Sequence, residues 1–120
     1  MNSTTAIRIA AALGFLGVIL GAFGAHSLRP LLGHNGTTAI WEKAVLYHLI
    51  HAVMLYVIAQ KQPLAKCPFS FFLAGILIFS GSLYVLAVTD ILWLGAITPI
   101  GGICFLIGWG TLICGAGKSN

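Results

Sequence analysis

Long uncharged stretches alternate with short charged segments along the chain. The stretches without a charged side chain cover residues 9–25, 44–59, 67–89 and 91–117. An α-helix needs about 20 mostly apolar residues to cross the hydrocarbon core of a bilayer, and each stretch with its flanks supplies them. We therefore predict four transmembrane helices, which cover approximately residues 6–26, 38–60, 68–89 and 92–116.

The connections between these stretches are short. The first spans residues 27–37 and contains turn-forming residues, the second spans residues 60–66, and the third is little more than Thr89 and Asp90. Short connections join helices that lie antiparallel to their neighbours. We predict an all-α membrane protein with a single domain over residues 1–120, in which four transmembrane helices form a compact antiparallel bundle.

Local signals refine two of these helices. Thr38 is predicted to cap the second helix, with Glu42 in its first turns, where the helix dipole favours a carboxylate. Pro99 lies within the fourth helix and cannot donate a backbone hydrogen bond, which predicts a kink near Thr98.

The composition excludes a soluble protein. Of the 120 residues, 59% are hydrophobic and only 7% are charged, and the mean hydropathy is +1.03. A soluble domain is about one quarter charged, so this chain has too few charges for a water-facing surface. The net charge of +4 comes from scattered basic residues without interleaved aromatics, which argues against nucleic acid as a partner. The predicted environment is the lipid bilayer.

The cysteines carry no disulfide or metal signal. Cys104 and Cys114 are separated by about 15 Å along one predicted helix, which is too far for a disulfide. Cys67 has no CxxC partner. We interpret all of them as small apolar residues, and we predict no metal site and no cofactor.

The distribution of basic residues predicts the orientation. The N-terminal segment, the second connection and the C-terminal segment share one side and carry Arg8, Lys61, Lys66 and Lys118. The opposite side carries Arg29 and Lys43. Because cytoplasmic loops are enriched in Lys and Arg, both termini are predicted to face the cytoplasm.

Glycines recur on one face of the first and fourth helices. Small residues at helical spacing let two backbones approach closely within a membrane. This pattern favours a packed first helix over a cleaved signal peptide, and over a pore or ligand groove lined by glycine. The predicted packing positions are Gly14, Gly17, Gly21, Gly24, Gly101, Gly108 and Gly115.

Most polar side chains of the helices fall in the outer half of the predicted bundle. Polar groups are expensive in hydrocarbon, so we expect them to meet one another or enclose water. Trp41, Trp93 and Tyr84 are predicted interfacial anchors, and Trp109 is predicted to pack. The predicted polar cluster, a candidate ligand site, consists of His26, Glu42, Tyr47, His51, Ser80, Ser82, Tyr84 and Thr98.

Four interpretations of this cluster stay open. Its hydrogen bonds could only fasten the helices. It could bind a quinone or a lipid headgroup, since a polar pocket between apolar helices suits an amphipathic ligand. His48 and His51 are spaced for a metal site but lack a carboxylate at their depth. A proton relay could run through His51, Tyr47 and Tyr84.

An enzyme is a weaker hypothesis. Ser80 and Ser82 could serve as nucleophiles, but no acid at their depth would orient a histidine base, so we predict no catalytic residue. A small multidrug exporter is also disfavoured, because such exporters need a carboxylate inside the first helix and this one has none.

Four motifs resemble the YgdD-like family of small multi-pass membrane proteins, over residues 9–117. The resemblance implies four helices and a bacterial inner membrane, and it implies no activity, catalytic residue or cofactor. His48 lies outside the family pattern, which shifts weight away from a two-histidine metal site. The motifs are Gly21-Ala22-Phe23-Gly24-Ala25-His26, Glu42-x-Ala44-x-x-Tyr47-x-x-x-His51-Ala52, Phe79-Ser80-Gly81-Ser82-Leu83-Tyr84 and Leu94-Gly95-Ala96-Ile97-Thr98-Pro99-Ile100-Gly101-Gly102.

The sequence therefore predicts an integral inner-membrane protein that is a non-enzymatic helper or a structural subunit. Its expected partners are the bilayer and another membrane protein, and a homo-oligomer is compatible with the glycine pattern. The first alternative is a quinone or lipid site at the polar cluster. A membrane enzyme, or a proton or metal site, ranks third.

Overall fold

The computed structural model describes residues 1–117, and these residues form helices without β-strands. Lys118, one of the basic residues used to predict the orientation, lies outside the described part. A π-helical segment, Ile76–Ser80, joins α4 to α5, and a 3-10 helix, Leu92–Ala96, precedes α6. The α-helices are α1 (Ser3–Ala25), α2 (Arg29–Asn35), α3 (Thr38–Ala59), α4 (Lys66–Gly75), α5 (Gly81–Thr89) and α6 (Thr98–Gly115).

Four helical segments are long and apolar enough to cross a membrane, which confirms the predicted fold class. We call them the first to fourth spans: Ser3–Ala25, Thr38–Ala59, Lys66–Thr89 and Leu92–Gly115. The first begins at Ser3 rather than near residue 6, because the Asn2 side chain accepts a hydrogen bond from the Thr5 backbone N–H at 2.8 Å.

The spans pack in a row that follows their order in the sequence. α1 packs against α3, α3 packs against the third span, and the third span packs against α6. The first and fourth spans therefore lie at the two edges. The main apolar core lies between the spans and includes Leu55, Phe69, Phe72 and Phe105.

The ends of the spans meet as an antiparallel bundle requires. At one end, here the first-loop end, the Asn35 side chain donates to the carbonyl oxygens of Ala87 and Val88 at 3.1 and 3.2 Å. These carbonyls belong to the last turn of α5, where no helical N–H reaches them. At the other end, the second-loop end, the Gln62 side chain donates to the Ser3 hydroxyl.

The helix α3 starts at Thr38, and the residue that was expected to cap it, Thr38, is not its cap. Thr37 occupies the N-cap position, and its side chain makes no capping hydrogen bond. The Thr37 hydroxyl instead donates to the Ala87 carbonyl oxygen at 2.7 Å. The hydroxyl thus fastens the second span to the third rather than capping its own helix.

Pro99 does not kink a continuous helix. The fourth span is already divided, since the 3-10 helix Leu92–Ala96 ends before α6 begins at Thr98. Pro99 then lies in the first turn of α6, where a helical N–H has no partner to lose. The predicted kink is replaced by a helix start.

Candidate functional site

Two buried histidines of α3 form hydrogen bonds to the three other spans. His48 is 2% exposed, and its Nε2 lies 2.7 Å from the Leu13 carbonyl oxygen of α1. A carbonyl can only accept, so Nε2 carries the proton and donates. Nδ1 then accepts from the Tyr84 hydroxyl of α5 at 2.8 Å. Both ring nitrogens are thereby used, and the side chain links the first, second and third spans.

His51 makes the opposite pair of hydrogen bonds. Its Nδ1 donates to the Tyr47 carbonyl oxygen at 2.8 Å, one turn earlier in α3. Its Nε2 therefore accepts, and the Trp109 Nε1–H of α6 donates to it at 3.0 Å. The imidazole also stacks on Phe105, with ring centres 3.7 Å apart. His51 thus joins the second span to the fourth and has no unused nitrogen.

The serine and threonine hydroxyl groups form hydrogen bonds to neighbouring spans. The buried Ser80 hydroxyl donates to the Ala44 carbonyl oxygen at 2.8 Å, which joins the π-helical segment to α3. Ser82 and Thr98 share a hydrogen bond of 2.7 Å between the third and fourth spans. In residues 1–117, every buried side-chain nitrogen or oxygen has a hydrogen-bond partner.

Tyr47 belongs to an aromatic group rather than to a hydroxyl network. Its ring lies 4.8 Å from that of Phe79 and 6.2 Å from those of His51 and Phe105, measured between ring centres. Tyr84, by contrast, contacts Trp41 at 4.8 Å while it hydrogen-bonds to His48.

The residues of the predicted polar cluster lie in several separate contacts. Ser82 is paired with Thr98, Tyr84 with His48, and Ser80 with the α3 backbone. His26 is exposed at the end of α1, and no hydrogen bond joins it to Glu42 among the side-chain contacts of residues 1–117. The same residues contain no group of three or more His, Cys, Asp or Glu that could hold a metal ion.

Several side chains that make these contacts were not among the predicted site residues. His48 was considered only as a metal ligand, yet it binds Leu13 and Tyr84. Trp109 was expected only to pack, yet it donates to His51. Asn35 and Thr37 were expected in a turn, yet both bind the end of α5. A tryptophan within an apolar span was the available signal for the Trp109 contact, because an indole N–H away from water usually finds a partner.

The glycines of the first span face α3 at three of four positions. A Cβ added at Gly17 would lie 2.6 Å from Leu49, at Gly21 3.3 Å from Val45, and at Gly24 2.2 Å from Trp41. No such neighbour lies within 4 Å of Gly14.

The fourth span shows the same contrast between its glycines. A Cβ at Gly101 would lie 2.3 Å from the Phe79 backbone nitrogen, and one at Gly108 would lie 2.5 Å from Phe72. Gly115 has no neighbour within 4 Å of an added Cβ. Close packing therefore involves every glycine of the two series except the first of the first span, Gly14, and the last of the fourth span, Gly115.

An open groove of about 570 Å³ lies between α1, α2 and α3, and we call it the α1–α3 groove. Its walls are mainly apolar, and it carries both an arginine and a glutamate. The Trp41 indole N–H donates to the Leu20 carbonyl oxygen at 2.9 Å, which fixes the tryptophan against α1. The groove is lined by Gly21, Gly24, Ala25, Arg29, Leu32, Thr38, Trp41, Glu42, Val45, Leu46 and Leu49.

Four apolar spans with internally paired polar groups define a polytopic α-helical membrane protein. Residues 20–102 match the family described as "Protein of unknown function (DUF423)", and the chain belongs to this family. No solved structure matches the chain.

Curated relatives of the chain have names that refer to membranes. The chain is 41% identical to the "UPF0382 membrane protein YwdK" of Bacillus subtilis, over 93% of this chain and 95% of the relative. It is 39% identical to a "UPF0382 membrane protein" of Haemophilus influenzae, over 95% of this chain and 94% of the relative. A Staphylococcus epidermidis protein with the same description is 41% identical, over 89% and 90%. The chain is thus an integral, multi-pass membrane protein.

Proposed function

We propose that this protein is a non-enzymatic structural subunit or helper of a complex in the bacterial inner membrane. Both of its termini then face the cytoplasm, as the basic residues of the second-loop end favour. Within its family, the four sequence motifs favour a YgdD-like member.

The observation that carries this proposal is the use of both ring nitrogens in both buried histidines. A general base or metal ligand needs a free nitrogen lone pair. Nδ1 of His48 and Nε2 of His51 instead accept hydrogen bonds from Tyr84 and Trp109. Each histidine therefore links spans by hydrogen bonds. This role suits a rigid scaffold better than a reaction centre.

The outward faces supply a surface for a partner within the membrane. Large apolar side chains of the two edge spans are exposed, including Phe15, Val18, Ile103 and Leu106. Lipid or another transmembrane helix covers such side chains equally well, because neither exposes them to water. A subunit at the edge of a larger assembly would use one of these faces.

Affinity purification in a mild detergent, from cells with the tagged protein at its native level, tests this proposal. We expect a membrane protein to co-purify in a fixed ratio to the chain. Phe15→Trp and Leu106→Trp, on opposite edge spans, should show which face holds the partner, and one of them should reduce its recovery. The proposal is wrong if the protein purifies without any stoichiometric protein partner, both in detergent and in lipid particles extracted by a polymer.

A further inference from the structure

The α1–α3 groove exists because one wall lacks side chains. Gly21 and Ala25 line the groove from α1 with little or no side chain, and Val45 and Leu49 of α3 form the opposite apolar wall. The Trp41 indole packs against Gly24 and donates to the Leu20 carbonyl oxygen, so it forms part of the groove wall. In a bilayer, a groove of about 570 Å³ beside the acyl chains will be filled by a hydrocarbon chain rather than left empty.

The groove has a polar end and an apolar end. Glu42 and Leu49 are seven residues apart in α3, which corresponds to about 10 Å along the helix. Arg29, at the start of α2, and Glu42, in the first turns of α3, both line the groove, and both helices start near the first-loop end. Charges at the membrane surface above an apolar channel match the shape of a lipid, with its headgroup at the interface and its chain below.

The two charges restrict which lipid fits. Arg29 presents a guanidinium that can bind two phosphate oxygens, and Glu42 presents a carboxylate that can accept from an ammonium N–H. A purely anionic lipid would leave Glu42 beside a like charge, and a cationic amphiphile would do the same to Arg29. A quaternary ammonium has no N–H to donate, so a choline headgroup would leave the carboxylate without its hydrogen bond.

We propose that the α1–α3 groove binds one zwitterionic phospholipid with a primary ammonium headgroup. Its phosphate binds Arg29, its ammonium binds Glu42, and an acyl chain lies against Gly21, Val45 and Leu49. This site goes beyond the proposed structural function and does not depend on it, since a scaffold with no protein partner could still hold the lipid.

Native mass spectrometry on delipidated protein tests the site with three lipids that share the same acyl chains. The probes are phosphatidylethanolamine, phosphatidylcholine and phosphatidylglycerol. We expect one phosphatidylethanolamine per chain to bind about tenfold more tightly than either of the others, a ratio typical of one charge-assisted hydrogen bond. Equal binding of all three lipids would overturn the proposal.

Substitutions then test the role of each charged side chain in lipid binding. Glu42→Gln should bring phosphatidylethanolamine binding down to that of phosphatidylcholine, and Arg29→Gln should weaken binding of both. Lys43→Gln is the matched control, because Lys43 is adjacent in α3 but lines a different groove. If Glu42→Gln and Lys43→Gln change the lipid preference equally, the effect is general surface charge and the site is wrong.

A bulky side chain tests the apolar part without touching the core. Leu46 lines the groove and is 55% exposed, so Leu46→Trp should block the acyl chain and abolish selective binding. Leu106→Trp, at a 70% exposed position of the fourth span, should leave it unchanged. A different result would overturn the proposal. If the protein shows no lipid selectivity and forms a dimer that Leu46→Trp dissociates, the groove binds a second copy of the chain.

Discussion

At the residue scale, hydrogen bonds between spans replace the hydrophobic effect as the source of specificity. Lipid is as apolar as leucine, so apolar side chains alone do not select one arrangement of helices. His51 does select one, because its Nε2 accepts only if the Trp109 indole N–H of α6 reaches it. A rotation of either helix would leave a polar group unpaired in hydrocarbon.

We expect His51→Ala to destabilise the protein, because it leaves the Trp109 N–H without its acceptor and removes the ring that stacks on Phe105. A donor left unpaired away from water costs about 1–3 kcal/mol. Thermal unfolding in detergent measures the change. In a double-mutant cycle with Trp109→Phe, we expect a coupling of about 0.5–2 kcal/mol. Strictly additive effects of the two substitutions would show that the hydrogen bond contributes nothing.

At the scale of elements, the sequence predicted where the spans run better than how each one is built. The short helix α2 was expected as a turn, although its signals are present. Pro30 lies in its first turn, and Gly36 follows its end at a φ of 69°, a left-handed conformation that glycine adopts without strain. Because Leu32 is buried against Trp41 and Ala87, tertiary packing stabilises a helix too short to form alone.

The π-helical segment could not be read from hydropathy. Ile76–Ser80 is as apolar as its neighbours, and its extra residue per turn shows only in the backbone. In the structure, Gly101 lies directly against the Phe79 backbone, and Ser80 binds the Ala44 carbonyl oxygen. The irregular segment is therefore in contact with helices on both sides, and its position depends on partners distant in the sequence.

The glycine series supply a matched pair of substitutions at this scale. We expect Gly24→Leu to destabilise the contact of α1 with α3, because a Cβ there would lie 2.2 Å from the Trp41 indole nitrogen. Overpacking of this kind costs about 1–3 kcal/mol. Gly14→Leu is the control, since Gly14 has no neighbour within 4 Å of an added Cβ. Equal melting temperatures for the two variants would mean that α1 does not pack on α3 in this register.

At the scale of the whole molecule, the row of spans explains why the predicted polar cluster is distributed. Alternating spans do bring the start of the second span and the end of the third together, as the contacts of Asn35 and Thr37 with the end of α5 show. Sequence positions give depth in the membrane but not rotation about each helix axis. His48 faces the first and third spans and His51 faces the fourth, although they are three residues apart.

The orientation of the whole molecule gives the last testable prediction. Cys67 lies exposed at the second-loop end, one residue after Lys66 at the start of α4. The proposed orientation puts this end in the cytoplasm, where a charged, impermeant thiol reagent added to intact cells cannot reach it. With Cys104 and Cys114 replaced by Ala, we expect Cys67 to react only after the membrane is permeabilised.

A second single-cysteine protein shows that the reagent reaches the opposite face. Ser27 is exposed in the first connection, so Ser27→Cys in a chain with no other cysteine should be labelled in intact cells. If Cys67 is labelled from outside and Ser27→Cys is protected, the orientation is the opposite of the proposed one. Arg29 and Glu42 would then lie at the cytoplasmic leaflet, and the lipid held in the α1–α3 groove would come from that leaflet.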